Sequence, residues 1–213
     1  MTVEELLVFG KSHCHSEHAK ILLAELLNKN SLELLNYLNE TVDNELCEKY
    51  KEEVLALKEG KPLQYVIGNV NFYGNNFYIN ENVLIPRFET EELVENTINY
   101  INKLFTHPVD IRDLGCGSGV IGITLDKKIS TTSVDLIDIS EKAIEVANKN
   151  CELLNSKAKT VQSNFFENVN KKYDVVISNP PYIKTNEEIE DIVKNNEPHL
   201  ALYAGIDGFR ELL

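Results

Sequence analysis

Val109-Asp-Ile-Arg-Asp-Leu-Gly-Cys-Gly-Ser-Gly119 is the stretch whose reading decides the fold. Val109–Leu114 is a short run rich in β-branched and apolar residues, the pattern of a strand buried in a parallel sheet. Gly115, Gly117 and Gly119 then allow a tight turn and leave the backbone without Cβ atoms, so a ligand can approach it. The apolar segment Val120–Leu125 opens a helix directly afterwards. Downstream, the same alternation continues with a strand at Val134–Ile137, an amphipathic helix at Ser140–Leu154, a strand at Thr160–Gln162, a turn region, and a strand at Tyr173–Ser178. Strands alternating with helical segments predict a parallel sheet with helices on its faces. The expected class is α/β, with a doubly wound, Rossmann-like sheet.

The glycine spacing narrows the ligand. A dinucleotide loop reads Gly-x-Gly-x-x-Gly, and here Val120 stands where the third glycine of that pattern belongs. Asp138 closes the second strand, 25 residues after Asp113, where a carboxylate can accept both hydroxyls of a ribose. A glycine loop and a ribose acid without a pyrophosphate site fit S-adenosylmethionine. Phe165, just past the third strand, is placed to pack on an adenine face.

The second half of a site follows the fourth strand, in Asn179-Pro-Pro-Tyr182. Pro180 and Pro181 carry no N–H, so this rigid loop presents carbonyl acceptors only. Asn179 adds a side-chain oxygen, and Tyr182 an aromatic ring. Two fixed acceptors beside a ring form a cradle for a flat –NH2 group, with one acceptor for each hydrogen. In a doubly wound sheet the first and fourth strands are neighbours, and ligands bind outside their carboxyl ends. That topology predicts that Gly115–Gly119 and Asn179–Tyr182 lie side by side.

Residues 1–60 carry leucines at helical spacing and predict a small bundle of short helices, one of them after a Ser31 cap. His13, Cys14, His15 and His18 cluster there, but no second ligand pair accompanies them, so they read as helix-surface residues and no metal is expected. Tyr65–Asn80 alternates apolar and polar residues around Gly74-Asn-Asn76, which predicts a hairpin in a linker over 61–86. Thr90 then reads as the cap of a helix running to about Leu104, with Glu91 and Glu92 at its positive end. A net charge of −13 argues against a protein that grips nucleic-acid backbone. Four scattered cysteines without a CxxC pair, and no apolar run of membrane-span length, point to the cytoplasm.

Several longer motifs sharpen this reading. They are Gly60-Lys-Pro-Leu-Gln-Tyr65, Val83-Leu-Ile-Pro-Arg-Phe-Glu-Thr-Glu-Glu-Leu-Val-Glu95, Glu197-Pro-His-Leu-Ala-Leu202 and Gly205-Ile-Asp-Gly208. Together with Asn179-Pro-Pro-Tyr182, the set resembles the release-factor glutamine methyltransferases, the HemK/PrmC family, along the whole chain. The resemblance implies a cytoplasmic enzyme that methylates the amide nitrogen of the glutamine in the Gly-Gly-Gln motif of class 1 release factors. It implies S-adenosyl-L-methionine as cofactor, held by Gly115, Cys116, Gly117, Ser118, Gly119, Asp138 and Phe165, with Asn179 beside it. It assigns the glutamine to Asn179, Pro180, Pro181 and Tyr182, with Asn179, Pro180 and Tyr182 carrying the catalysis. Phe88, Cys116 and Asn164 depart from the family's usual Pro, Thr and Asp.

The implied division is a helical substrate-recognition domain over 1–60, a hairpin linker over 61–86 and a catalytic domain over 87–213. The family's sheet has strands beyond the fourth, so the resemblance also implies either that the catalytic domain is truncated here or that it lacks the closing part of its sheet. Two other functions use the same residues. Adenine's exocyclic amine fits the cradle of a DNA or RNA adenine-N6 methyltransferase, which would need base flipping and a basic channel. A release-factor-binding module without catalysis would lack cofactor affinity altogether.

Overall fold

The computed structural model describes residues 1–130, 132–164, 167 and 171–208, in two compact units, Met1–Ile67 and Gly68–Leu213. Among the described residues no helix is long and apolar enough to cross a membrane.

The first unit is helical. Helix α1 (Val3–His13) starts from a reciprocal cap in which Thr2 Oγ1 accepts from Glu5 N–H and Glu5 returns to Thr2 N–H. Helices α2 (Ser16–Leu26) and α3 (Asn44–Lys58) follow, the latter capped by Asp43, which accepts from Leu46 N–H at 2.9 Å. Leu6, Leu22, Leu23, Leu34, Tyr50 and Val54 form the sealed core of this unit. Ser31 does not cap a helix. Asn30 accepts from Leu32 N–H in an Asx turn, and the chain makes only a short 3-10 turn at Glu33–Asn36. Helix α4 (Leu63–Ile67) ends the unit.

The second unit opens with the hairpin β1 (Asn69–Phe72) and β2 (Asn75–Tyr78). Its Phe72 and Phe77 meet edge to face, 6.1 Å apart, and both are buried in this unit's main core. Helix α5 (Glu89–Leu104) comes next. Thr90 is not its cap: the helix begins after Phe88 without a side-chain cap, and Thr90 lies buried in the first turn. Glu89, Glu91 and Glu92 sit at its N-terminus, where the helix dipole favours negative charge.

The parallel sheet contains β3 (Val109–Leu114), β4 (Thr132–Asp138), β5 (Lys159–Gln162) and β6 (Val175–Ser178), in the order β5-β4-β3-β6. Helices α6 (Val120–Lys128) and α7 (Glu141–Leu154) link the strands; α6 packs on β3 and β4, and α7 on β4, β5 and the hairpin strand β2. β3 is central, and its last four residues are all buried, as expected of a strand covered on both faces. The fourth strand starts at Val175 rather than Tyr173, because Asp174 ties both its backbone N–H and its carboxylate to Asp110. Register pairs Leu114 with Ile137 and with Ser178, so three strands end level. Short helices α8 (Asp191–Asn196) and α9 (His199–Leu202) follow β6.

Candidate active site

At the level strand ends, hydrogen bonds gather the glycine loop, Asp138 and Asn179. Ser178 Oγ donates to the Leu114 carbonyl at 2.7 Å, joining the last residue of β6 to the residue before Gly115. Cys116 N–H donates to the Ile137 carbonyl at 2.9 Å, pinning the loop to β4. Asn150, fully buried on α7, donates to the Ser118 carbonyl and exchanges two bonds with the backbone of Tyr78. One amide thus fastens the loop to the hairpin.

The loop borders a cavity of about 390 Å³. Gly115 and Gly117 have φ of +67° and +54°, and a Cβ at either position would meet no protein atom within 4 Å. The side chains they lack would project into open space, so packing does not require glycine there. The left-handed backbone does, and the open space beside it leaves room for a ligand to approach. Gly119 is different: it lies outside the cavity lining, and a Cβ there would come within 2.9 Å of Ile123 Cδ1. Its work is to start α6.

Asp138 stands across this cavity. Its carboxylate accepts from Gly117 N–H and Ser140 N–H, both at 2.9 Å, which leaves further lone pairs for hydroxyl donors. Burial raises its pKa, and N–H groups of Ser140, Gly117 and Ile139 pull it back down. Beneath it, Asp113 is sealed from solvent. One oxygen accepts from Gly122 N–H at 2.9 Å, and Oδ1 has no partner among the described residues. Burial, then the nearby Asp138, raises the Asp113 pKa to about 7, although the Gly122 N–H opposes the shift. Cys116 is buried too, and burial raises its thiol pKa, so it lines the cavity as a protonated, unreactive group. The residues fit a nucleoside carrying a ribose diol. Ile139, Ser140, Ser163 and Asn164 line the same cavity, while Phe165 lies outside the described residues.

A second cavity, about 610 Å³, is lined by Pro180, Tyr182, Ile183, Glu188 and Val193, among others. Pro181 faces the first cavity instead. Leu84, Arg87, Thr90, Asn179 and Ala201 line both, and so form the wall between them. Asn179 Nδ2 donates to Thr90 Oγ1 at 3.4 Å, which turns the side-chain oxygen away from Thr90 and leaves it to accept. The Tyr182 ring is largely exposed at the second cavity's mouth.

Thr90, Asn150, Leu84 and the pair Arg87–Glu197 were not identified as site residues from sequence. Arg87 and Glu197 stood within quoted motifs, and that signal could have found them. Thr90 was mistaken for a cap, and Asn150 carried no sequence signal among many asparagines.

Comparison with known proteins agrees with the geometry. A family model described as the methyltransferase small domain matches residues 89–201, and one described as the PrmC N-terminal domain matches residues 15–68. The release factor glutamine methyltransferase of Bacillus subtilis strain 168 is 37% identical over 199 residues, covering 90% of this chain and 69% of its own length. That of Streptococcus pneumoniae R6 is 36% identical over 208 residues, covering 96% and 72%. The Flavobacterium psychrophilum enzyme is 42% identical over 167 residues, covering 76% of this chain and 59% of the relative. The matched part of this chain therefore spans 59–72% of these three relatives. With its glycine loop, strand-end acid and Asn-Pro-Pro-Tyr loop in one place, the chain belongs to the release factor glutamine methyltransferase family.

Proposed function

We propose that this protein transfers a methyl group from S-adenosylmethionine to the side-chain amide nitrogen of the glutamine in the Gly-Gly-Gln motif of class 1 release factors. The observation that carries the reading is the place of Asn179, in the wall shared by the two cavities, with its amide nitrogen turned to Thr90. When bound, S-adenosylmethionine supplies a methyl group already activated on a sulfonium. Gly115, Cys116, Gly117 and Ser118 would hold it along the loop, and Asp138 would hold its ribose.

An amide nitrogen is a poor nucleophile because its lone pair is delocalised into the carbonyl. Asn179 Oδ1 and the Pro180 carbonyl each accept one of the two N–H bonds. Those bonds would fix the nitrogen's orientation and favour the positive charge it gains as the nitrogen–carbon bond forms and the carbon–sulfur bond breaks, its electron pair passing to sulfur so that S-adenosylhomocysteine leaves as a neutral thioether. The proton then leaves to solvent. Tyr182 packs beside the amide at the mouth of the second cavity. Catalysis is orientation and electrostatic preorganisation.

The helical unit, which matches the PrmC N-terminal domain, is assigned to recognition of the release factor outside the reacting glutamine. The net charge of −13 favours a protein acceptor over nucleic acid, and the work of the enzyme belongs to translation termination in the cytoplasm. The test is methyl transfer from radiolabelled cofactor to a class 1 release factor, to the same factor with its motif glutamine replaced, and to adenine-containing DNA. Label on the unmodified factor alone is expected. Label on DNA alone would replace this reading with adenine methylation.

A further inference from the structure

We infer that Glu197 is a positioning residue for Asn179, acting through a buried clamp that holds the wall between the two cavities. The inference rests on the proposed methyl transfer and deepens it.

Glu197 lies just after α8, and its side chain is only 2% exposed. Both of its oxygens are committed to one short segment distant in sequence. Oε1 accepts from Arg87 Nη2 at 2.6 Å, and Oε2 accepts from Ile85 N–H at 3.0 Å. The segment it grips supplies Leu84 and Arg87 to both cavities. On the other side of the clamp, Ala201 also lines both.

The clamp belongs to a closed ring of contacts around Asn179. Arg87 lies three residues before Thr90, which accepts from the Asn179 side chain. Beyond Asn179, Ile183 N–H donates to the Leu202 carbonyl at 3.1 Å, and Ala204 N–H donates to the Ile183 carbonyl at 2.9 Å. From Leu202 the chain runs back through α9 to Glu197. The Asn-Pro-Pro-Tyr loop is therefore held at one end by Thr90 and at the other by α9, and Glu197 joins the two supports. A buried ion pair adds little net stability over well-packed apolar residues, but breaking one member leaves a buried charge unpaired. Such a pair suits a geometry that must not drift.

The experiment uses the full chain. Its ¹⁵N-labelled form reports the Asn179 side-chain amide resonance, assigned by its loss in Asn179→Ala. Turnover is measured on a class 1 release factor, and cofactor affinity by calorimetry. In Glu197→Gln the Asn179 resonance is expected to shift and broaden, and turnover to fall roughly ten- to a hundred-fold, the scale of a misplaced reacting group. Cofactor affinity and the KM for the release factor are expected to hold within about threefold, since neither the glycine loop nor the helical unit is touched. Arg87→Gln should give the same resonance shift and loss of turnover, and the double variant should be no worse than either single one; cofactor affinity is read from Glu197→Gln alone, because Arg87 lines the first cavity. An unchanged resonance and turnover in a folded Glu197→Gln protein, or additive losses in the double variant, would overturn the inference. If Glu197→Gln does not fold, Arg87→Gln decides by resonance and turnover, because Arg87 is partly exposed. A wild-type chain that transfers no methyl to release factors would defeat the functional reading alone, and the Asn179 resonance would still decide the clamp.

Discussion

The glycine-loop side of the first cavity comes from one continuous piece of chain between β3 and α6, faced by Asp138 from the next strand in sequence, while residues 81–90, 163–164, 179–181 and 198–201 close the cavity's other sides. The second is walled by three segments far apart, around Leu84–Leu93, Asn179–Glu190 and Val193–Leu202. The loop side is held by backbone bonds to Asp138, Ile137 and Asn150, each close to 2.9 Å. Among the described residues Asn179 has a single 3.4 Å side-chain bond, to Thr90, and depends on a ring of more distant supports. On the proposed function, two kinds of work account for the difference. Holding a nucleoside needs a preformed surface, whereas seating an amide that arrives on another protein needs an aperture. Changes on the loop side should therefore register as stability and cofactor affinity, and changes at the shared wall as turnover.

The largest effect should come from beneath the loop. The folded pKa of Asp113 is about 7, above its ordinary value of 3.8. Its contribution to stability is full below about pH 4, where it is protonated folded or unfolded, and is lost as pH rises towards 7. A shift of this size corresponds to about 4 kcal/mol between those limits. Asp113→Asn keeps an acceptor for Gly122 N–H and abolishes the titration. Urea unfolding at pH 4 and pH 8 should then show the wild type losing about 4 kcal/mol more than the variant. Equal losses would mean that the floor of the first cavity is wetter than its burial indicates.

Next in size is the shared wall. Asn179→Ala should lower turnover on a release factor by about a hundred- to a thousand-fold, or roughly 2.7–4 kcal/mol, while cofactor affinity changes far less. A variant with near-normal turnover would remove Asn179 from the mechanism and erase the contrast between the cavities.

Asp138→Ala should act the other way round. Losing the proposed ribose acceptor, and with it the anchor of Gly117 N–H, should weaken S-adenosylmethionine by about 1.5–3 kcal/mol in calorimetry. At saturating cofactor, turnover should largely recover; a turnover defect that persists at saturation would show that the two sides are not separable.

The smallest effect is expected at Ser140, whose hydroxyl caps α7 by accepting from Ala143 N–H at 3.3 Å. Ser140→Ala should cost about 1 kcal/mol of stability in thermal or urea unfolding. Since Asp138 holds Ser140 N–H through the backbone, cofactor affinity should stay close to that of the wild type.

What the sequence determined by itself was the part of the molecule in which neighbours in the chain are neighbours in space. Val109–Gly119 specified a strand, a turn and a helix start because β-branched residues, positive-φ glycines and an apolar helix each impose their conformation locally. Asp138 was legible because a parallel sheet places every strand's carboxyl end at the same edge, and Asn179 because two prolines stop its strand there. The wall between the cavities was decided only by tertiary structure. Thr90 looked like a helix cap because its local context suits one, yet packing placed it inside the first turn against Asn179. Glu197 and Arg87, more than a hundred residues apart, became partners only when α9 was drawn to Ile183 and the carboxylate was shut away from water. Local conformational preference cannot encode such a pairing, because its energy comes from burying a charge beside one distant guanidinium and one distant N–H.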